Sequence, residues 1–250
     1  MDLIVLGAGP AYTNVAGAIG AAYLLVEGDH ALLLDFGQGA FPSLANAWEP
    51  SRLDAVVISH LHPDHFIDLV ALRHYLRYEF DPPRRVRILG PSGLGDRLDA
   101  LHAEPGFAAE ALDVEAVGGR WTRQVGAFTL EASLVLHTNE SYAYRVSSSA
   151  GPALVYSGDC GRASDLAAIV RPGDVVLTEV SFGPGPVPPG AFHLDAPAVG
   201  AMAAERRPSR ILLTHIQMGH DPAATIAGVR ARFDGPVELV QPGLRVALGG

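Results

Sequence analysis

The stretch Val56-Val57-Ile58-Ser59-His60-Leu61-His62-Pro63-Asp64-His65-Phe66 constrains this chain more than any other. An apolar strand runs directly into three histidines and an aspartate. Residues two apart on an extended segment point the same way, so His60 and His62 can converge on one ion. Asp64 and His65 fall where the chain turns into a helix, within reach of a second ion. Imidazole nitrogen and carboxylate oxygen together suit a borderline ion such as zinc. Helix caps or surface histidines would account for one such residue, but four convergent donors at a strand end have little other use.

Three further apolar strands end in a donor: Leu134-Val135-Leu136-His137, Leu154-Val155-Tyr156-Ser157-Gly158-Asp159 and Ile211-Leu212-Leu213-Thr214-His215. A lone histidine at a strand end is ordinarily a hydrogen-bonding residue. The repeated context makes His137, Asp159 and His215 candidates to complete the coordination, because ligands at strand ends share one sheet edge.

With 250 residues, 48% of them hydrophobic, the chain has ample material for a core, and disorder is excluded. No apolar run approaches the roughly 20 residues that span a bilayer. The start, Met1-Asp2-Leu3-Ile4-Val5-Leu6-Gly7, carries no basic segment and reads as a first strand, so a cytoplasmic location is expected. Cys160 is the only cysteine, which rules out an intramolecular disulfide and a thiolate zinc cluster. All 18 basic side chains are arginine, so Schiff-base and P-loop chemistry lack their lysine. The net charge is −9 and the arginines are scattered. Without a basic stripe, an extended nucleic acid is a weaker expectation than a small anionic ester.

Strands are predicted at Asp2–Leu6, Ala22–Val26, Ala31–Phe36, Ala55–Ser59, Val86–Leu89, Phe128–Leu136, Tyr142–Ser147, Ala153–Ser157, Val175–Glu179, Ile211–Thr214 and Val237–Val240. Helices are predicted at Phe66–Tyr78, Leu94–His102, Ala163–Val170, Ala196–Arg206 and Pro222–Phe233. Asp195 and Asp221 are placed to cap the last two. Early strands adjoin in sequence, as in hairpins; later ones alternate with helices, as in covered sheets. The expected whole is one α/β domain over residues 1–250, with two β-rich layers flanked by helices. The Gly/Pro-rich loops Ala8–Gly20 and Gly183–Gly190 are expected to wall its cleft.

These motifs resemble, in order and over nearly the whole chain, the metallo-β-lactamase superfamily. The residues that carry the resemblance are Leu33-Leu34-Asp35-Phe36-Gly37, the His60–His65 cluster, His137, Ser157-Gly158-Asp159 and Leu213-Thr214-His215. The resemblance implies a four-layer αββα sandwich with metals at one edge. It assigns His60, His62 and His137 to one ion and Asp64, His65 and His215 to another, with Asp159 bridging. Asp35 would support the ligand loop without touching metal. Asp64 is counted both as ligand and as catalytic residue. The implied cofactor is two divalent ions, zinc before manganese or iron. Two such ions, the two aspartates and a bridging hydroxide leave a formal charge of about +1, suited to anionic oxygen. Metal-bound hydroxide is then the expected nucleophile. Redox relatives carry Glu where this chain has His62, and are usually fused to a flavin domain that finds no residues here.

Thr178-Glu179-Val180-Ser181-Phe182 and Phe192-His193-Leu194-Asp195 resemble the Glu and His of ribonuclease Z and its small relatives. A carboxylate bonded to an imidazole fixes its tautomer and favours protonation, so His193, oriented by Glu179, is a candidate general acid. A strand-end charge and a helix-entry histidine are the plainer alternative. The interval 138–158 leaves no room for the inserted arm with which ribonuclease Z grips tRNA. The expectation is therefore a phosphodiesterase of the short ribonuclease Z-like kind, with a homodimer as the assembly its relatives favour. A ribonuclease on short or structured RNA, and a metal-binding scaffold without turnover, are the alternatives. Of the remaining residues, Cys160 reads as small and buried, His220 as a loop residue near the pocket, and Arg145 and Arg162 as surface charges or phosphate contacts.

Overall fold

Near-continuous apolar runs, buried on both faces, turn the start of the chain into an antiparallel ladder of β1 (Asp2–Gly7), β2 (Ala22–Glu27) and β3 (His30–Leu34). β4 (Ala55–Val57), β5 (Val86–Gly90) and β6 (Leu112–Ala116) extend it in parallel, and β14 (Arg245–Ala247) closes the other side, giving the order β14-β1-β2-β3-β4-β5-β6. The second sheet is built from β7 (Trp121–Val125), β8 (Phe128–Leu134), β9 (Tyr142–Ser147), β10 (Leu154–Tyr156), β11 (Val175–Glu179), β12 (Arg210–Thr214) and β13 (Val237–Leu239). Its order runs β13-β12-β11-β10-β9-β8-β7. This computed structural model describes residues 1–149 and 151–249; Ala150, in the turn expected at Ser148–Pro152, lies outside them.

The sheets pack face to face. Tyr23, Leu25, Leu34 and Val57 of the first share one core with Tyr142, Tyr144, Tyr156 and Leu177 of the second. Helices α1 (Phe41–Ala47), α3 (Leu69–Tyr78) and α4 (Leu94–His102) cover the outer face of the first sheet through Leu44, Leu72 and Leu98. Helices α5 (Ala163–Ala167), α6 (Ala196–Arg206) and α7 (Pro222–Arg230) cover the second through Leu166, Val199 and Val229. The result is the four-layer αββα sandwich.

The helix predicted over Phe66–Tyr78 is divided into α2 (Pro63–Phe66) and α3. The cause is a diverted hydrogen bond. The carbonyl of Asp64 accepts from the Ala21 amide, and the Asp68 amide turns instead to the carbonyl of Phe36. The ladder between residues 64 and 68 is thereby replaced by bonds that tie the ligand loop to the first sheet. Asp195 and Asp221 cap α6 and α7 as expected. No helix among the described residues is long and apolar enough to cross a membrane.

Candidate metal centre

β4, β8, β10 and β12 deliver their donors to one edge of the sandwich, and β3 brings Asp35 behind them. Three of these deliveries use left-handed backbone: Asp35 at φ 56°, Gly158 at φ 54° and His215 at φ 56°. A side chain in that region costs roughly 1–3 kcal/mol and persists only where packing fixes it. At Gly158 a Cβ would also stand 2.7 Å from Cβ of Ser59, so the turn that presents Asp159 needs glycine.

The edge gathers two groups of potential ligands, His60 with His62, His137 and Asp159, and Asp64 with His65 and His215; in each the ligand atoms lie within 4.8 Å of one another. Asp159 joins them, its carboxylate 3.5 Å from Nε2 of His137 and 3.4 Å from Nε2 of His65.

The inward nitrogens of His60, His65, His137 and His215 are bared by a bond on the far side of each ring. The hydroxyl of Ser59 donates to Asp35 at 2.7 Å, so at 3.0 Å it accepts from Nδ1 of His60. Nδ1 of His65 donates to Asp35 at 2.7 Å, and Nδ1 of His137 donates to the carbonyl of Phe192 at 2.7 Å. Nδ1 of His215 lies 3.1 Å from the hydroxyl of Ser181. Inside the ring of donors, Nδ1 of His62 and Nε2 of His137 are 3.1 Å apart, and Nε2 of His65 and of His215 are 3.3 Å apart. Ring nitrogens this close need a proton or a cation between them. Nε2 of His60 and Oδ1 of Asp159 are buried with no hydrogen-bond partner, a costly state that coordination would relieve. The residues fit divalent metal.

Electrostatics point the same way for five of the seven donors. Burial holds the imidazoles of His60, His62 and His137 below their usual range, and neighbouring imidazoles push His60 and His62 further. At Asp159 and Asp64 burial acts to raise the carboxyls, but His215 and His65 outweigh it and hold both below the ordinary carboxylate range. Neutral imidazole and ionised carboxylate are the forms that bind metal. His65 and His215 are raised: burial pulls them down, but Asp159 overrides it, helped by Asp35 at His65 and Asp64 at His215.

Beside Asp159 stand the other two predicted residues. Nδ1 of His193 donates to Oε1 of Glu179 at 3.0 Å and lies 3.9 Å from Oδ2 of Asp159. Glu179 also accepts from the amides of Cys160 at 3.0 Å and Ser181 at 2.9 Å. With both oxygens engaged it anchors the loop instead of joining the donors. Burial lowers the His193 imidazole, but the bond and charge of Glu179, with Asp159 behind them, leave it raised overall.

A family model described as a β-lactamase superfamily domain matches residues 32–216. The chain belongs to the metallo-β-lactamase superfamily. Uncharacterized protein Rv1339 of Mycobacterium tuberculosis is 34% identical over 214 residues, 84% of this chain and 78% of that protein. The probable metallo-hydrolase YhfI of Bacillus subtilis is 24% identical over 228 residues, 89% of this chain and 90% of that one. Its crystal structure superposes with a TM-score of 0.87 at 21% identity, covering 98% of each chain. The short form of human tRNase Z superposes with a TM-score of 0.74 at 19% identity over 99% of each.

For this superfamily member the structure also identifies supports that the sequence did not mark. Ser59, Ser181, the hydroxyl of Tyr156 and the carbonyl of Phe192 all hold ligand-bearing residues in place. Ser59 adjoins His60 and gave a local signal; the others come from a distant strand, at Tyr156, and from the loops at Ser181 and Phe192. Cys160 is fully buried. Arg145 is committed to Asp174 at 2.8 Å and Glu131 at 2.9 Å, so it is no phosphate contact. His74 and His102 sit with Phe107 on the far helices. The loop over residues 8–19 walls a cleft beside His215, and His220 lines the same cleft.

Proposed function

We propose that this chain is a phosphodiesterase that works with two divalent ions, zinc before manganese or iron, and uses His193 as its general acid. The observation that carries this reading is the bond between His193 and Glu179 beside Asp159. A site that only stored metal would have no use for a proton donor fixed at its rim. Further support comes from a ribonuclease of Thermus thermophilus, 34% identical over 184 residues, which are 67% of this chain and 42% of that one.

His60, His62, His137 and Asp159 would hold one ion, and Asp64, His65 and His215, again with Asp159, the other. When bound, such ions lower the pKa of water to about 7 and offset charge on a phosphoryl oxygen. The chain supplies the rest. Asp35 and Ser59 fix the rings of His65 and His60, and the Phe192 carbonyl fixes that of His137. Because Nδ1 of His193 is tied to Glu179, Nε2 is the atom left to donate. As water forms the new phosphorus–oxygen bond, the bond to the leaving oxygen breaks and its electron pair takes the Nε2 proton. Glu179 stabilises the imidazolium before transfer, and solvent returns the proton afterwards.

Hydrolysis of a 3′,5′-cyclic nucleotide, whose leaving alkoxide needs a proton, by the metal-loaded protein tests this reading, with His193→Ala as the companion variant. The expected result is turnover that falls in the variant while its metal content stays unchanged. Turnover equal in both proteins would remove His193 from the reaction. An endoribonuclease is the second reading, favoured by the relatives named as ribonucleases and opposed by the short 138–158 interval.

A further inference from the structure

His215 also lines a cleft of about 520 Å³, walled by residues 8–10, 13–19, 215–220, 222 and 239–242. This volume lies in the roughly 300–1,000 Å³ range of small-molecule sites. His215 belongs to both cleft and centre, so whatever fills the cleft abuts the candidate metal ligands.

Its lining is unusual for a site beside so much charge: no Asp, Glu, Lys or Arg takes part. Val15, Ile216 and Met218 give apolar surface, and Asn14, Gln217 and Gln241 give carboxamides. Among the described residues no intramolecular hydrogen bond engages those three carboxamides. Val15 and Met218 are 65% and 49% exposed, and Tyr12 on the same loop is 66% exposed. Large apolar side chains left in water around a cleft mark a surface that something covers.

The centre takes anionic oxygen, so the cleft takes the uncharged part of the same molecule. That part must offer apolar faces and an edge of donors and acceptors. A carboxamide presents one donor and one acceptor side by side, which is how Asn and Gln pair with a base edge. A nucleobase meets both demands. A long polynucleotide does not, because each phosphate along it needs a cation, and the cleft supplies none.

Resting on the phosphodiesterase reading above, we propose that the cleft is a subsite for one nucleobase, and that the substrate class is a small phosphodiester bearing a single nucleoside. Gln217 and Gln241 read the base edge, and Met218 packs on its face.

Calorimetry on the metal-loaded protein tests this without turnover. The 5′-monophosphates of adenosine, guanosine, cytidine and uridine are each compared with ribose 5-phosphate, which keeps sugar and phosphate but lacks the base. At least one nucleotide should bind about tenfold more tightly than ribose 5-phosphate, the equivalent of about 1.4 kcal/mol. In the Gln217→Ala/Gln241→Ala protein, and separately in Met218→Asp, that preference should fall to threefold or less, with ribose 5-phosphate binding unchanged. All four nucleotides binding within twofold of ribose 5-phosphate, or a preference intact in both variants, would overturn the subsite. Hydrolysis of bis(p-nitrophenyl) phosphate by a protein with no base preference would overturn the subsite and leave the reaction standing. Base preference in a protein that cleaves no diester would keep the subsite and remove the reaction.

Discussion

Nδ1 of His65 donates to Oδ2 of Asp35 at 2.7 Å, although Asp35 sits one strand away. The same carboxylate accepts from the amide of Ser59 at 2.6 Å, its hydroxyl at 2.7 Å and the hydroxyl of Tyr156 at 2.6 Å. One buried side chain therefore orients His65 directly and His60 through Ser59.

Replacing Asp35 with Asn keeps the shape but removes the charge that aims both rings. Supports of this kind are worth about 10–100-fold in metal affinity. Chelator competition should show a loss of that size in Asp35→Asn, and an affinity equal to wild type would contradict the role given to Asp35.

Gly158→Ala should be costly for two reasons that add. The left-handed backbone costs an alanine about 1–2 kcal/mol, and crowding against Ser59 and the Tyr142 carbonyl adds about 1–3 kcal/mol. Urea unfolding should register a loss of about 2–5 kcal/mol, together with weaker metal retention because Asp159 follows directly. An unchanged midpoint would show that the turn relaxes freely.

The acid role of His193 has a pH signature. Its imidazole is raised on balance because Glu179 outweighs burial, and only the protonated ring can donate. Activity should therefore be lost as pH rises through the His193 pKa. Glu179→Gln removes the raising charge, so the descending limb of the kcat profile should move to lower pH. The effect should be larger for an alkyl leaving group than for p-nitrophenolate, which departs without a proton. A descending limb that stays in place would detach Glu179 from the titrating group.

Much of this was legible from residue order. The strands that carry donors are buried, apolar and followed at once by His or Asp, so both strand and ligand show in the sequence. Strands β6, β7 and β14 did not show. They are edge strands; β6 alternates apolar residues with Asp113 and Glu115, and β7 carries Thr122, Arg123 and Gln124 between Trp121 and Val125, patterns that also suit a loop. Helix α1 was missed because it is short and starts at Phe41-Pro42 without a capping side chain. The break between α2 and α3 depends on carbonyl partners brought in from β2 and β3, which no local pattern records. The supports at Tyr156 and Ser181 were hidden for the same reason: Tyr156 reaches Asp35 only when the second sheet packs against the first, and Ser181 reaches His215 only when β11 and β12 pair.

Metal should also hold the fold. Bound at a concentration 100 times its Kd, an ion adds about 2.7 kcal/mol to stability. In a chain of this size that is about 5–10 °C in Tm. A thermal melt with and without chelator should show a shift of that order, and coincident melts would mean that the buried donors need no ion.

The central claim is that the donors around Asp159 bind two ions for diester hydrolysis. The most direct test measures metal per chain and bis(p-nitrophenyl) phosphate turnover in wild-type and His62→Ala protein. The account predicts two ions per chain with turnover in the wild type, and loss of both metal and turnover in the variant. Metal content well below one per chain, or turnover untouched by His62→Ala, would contradict it.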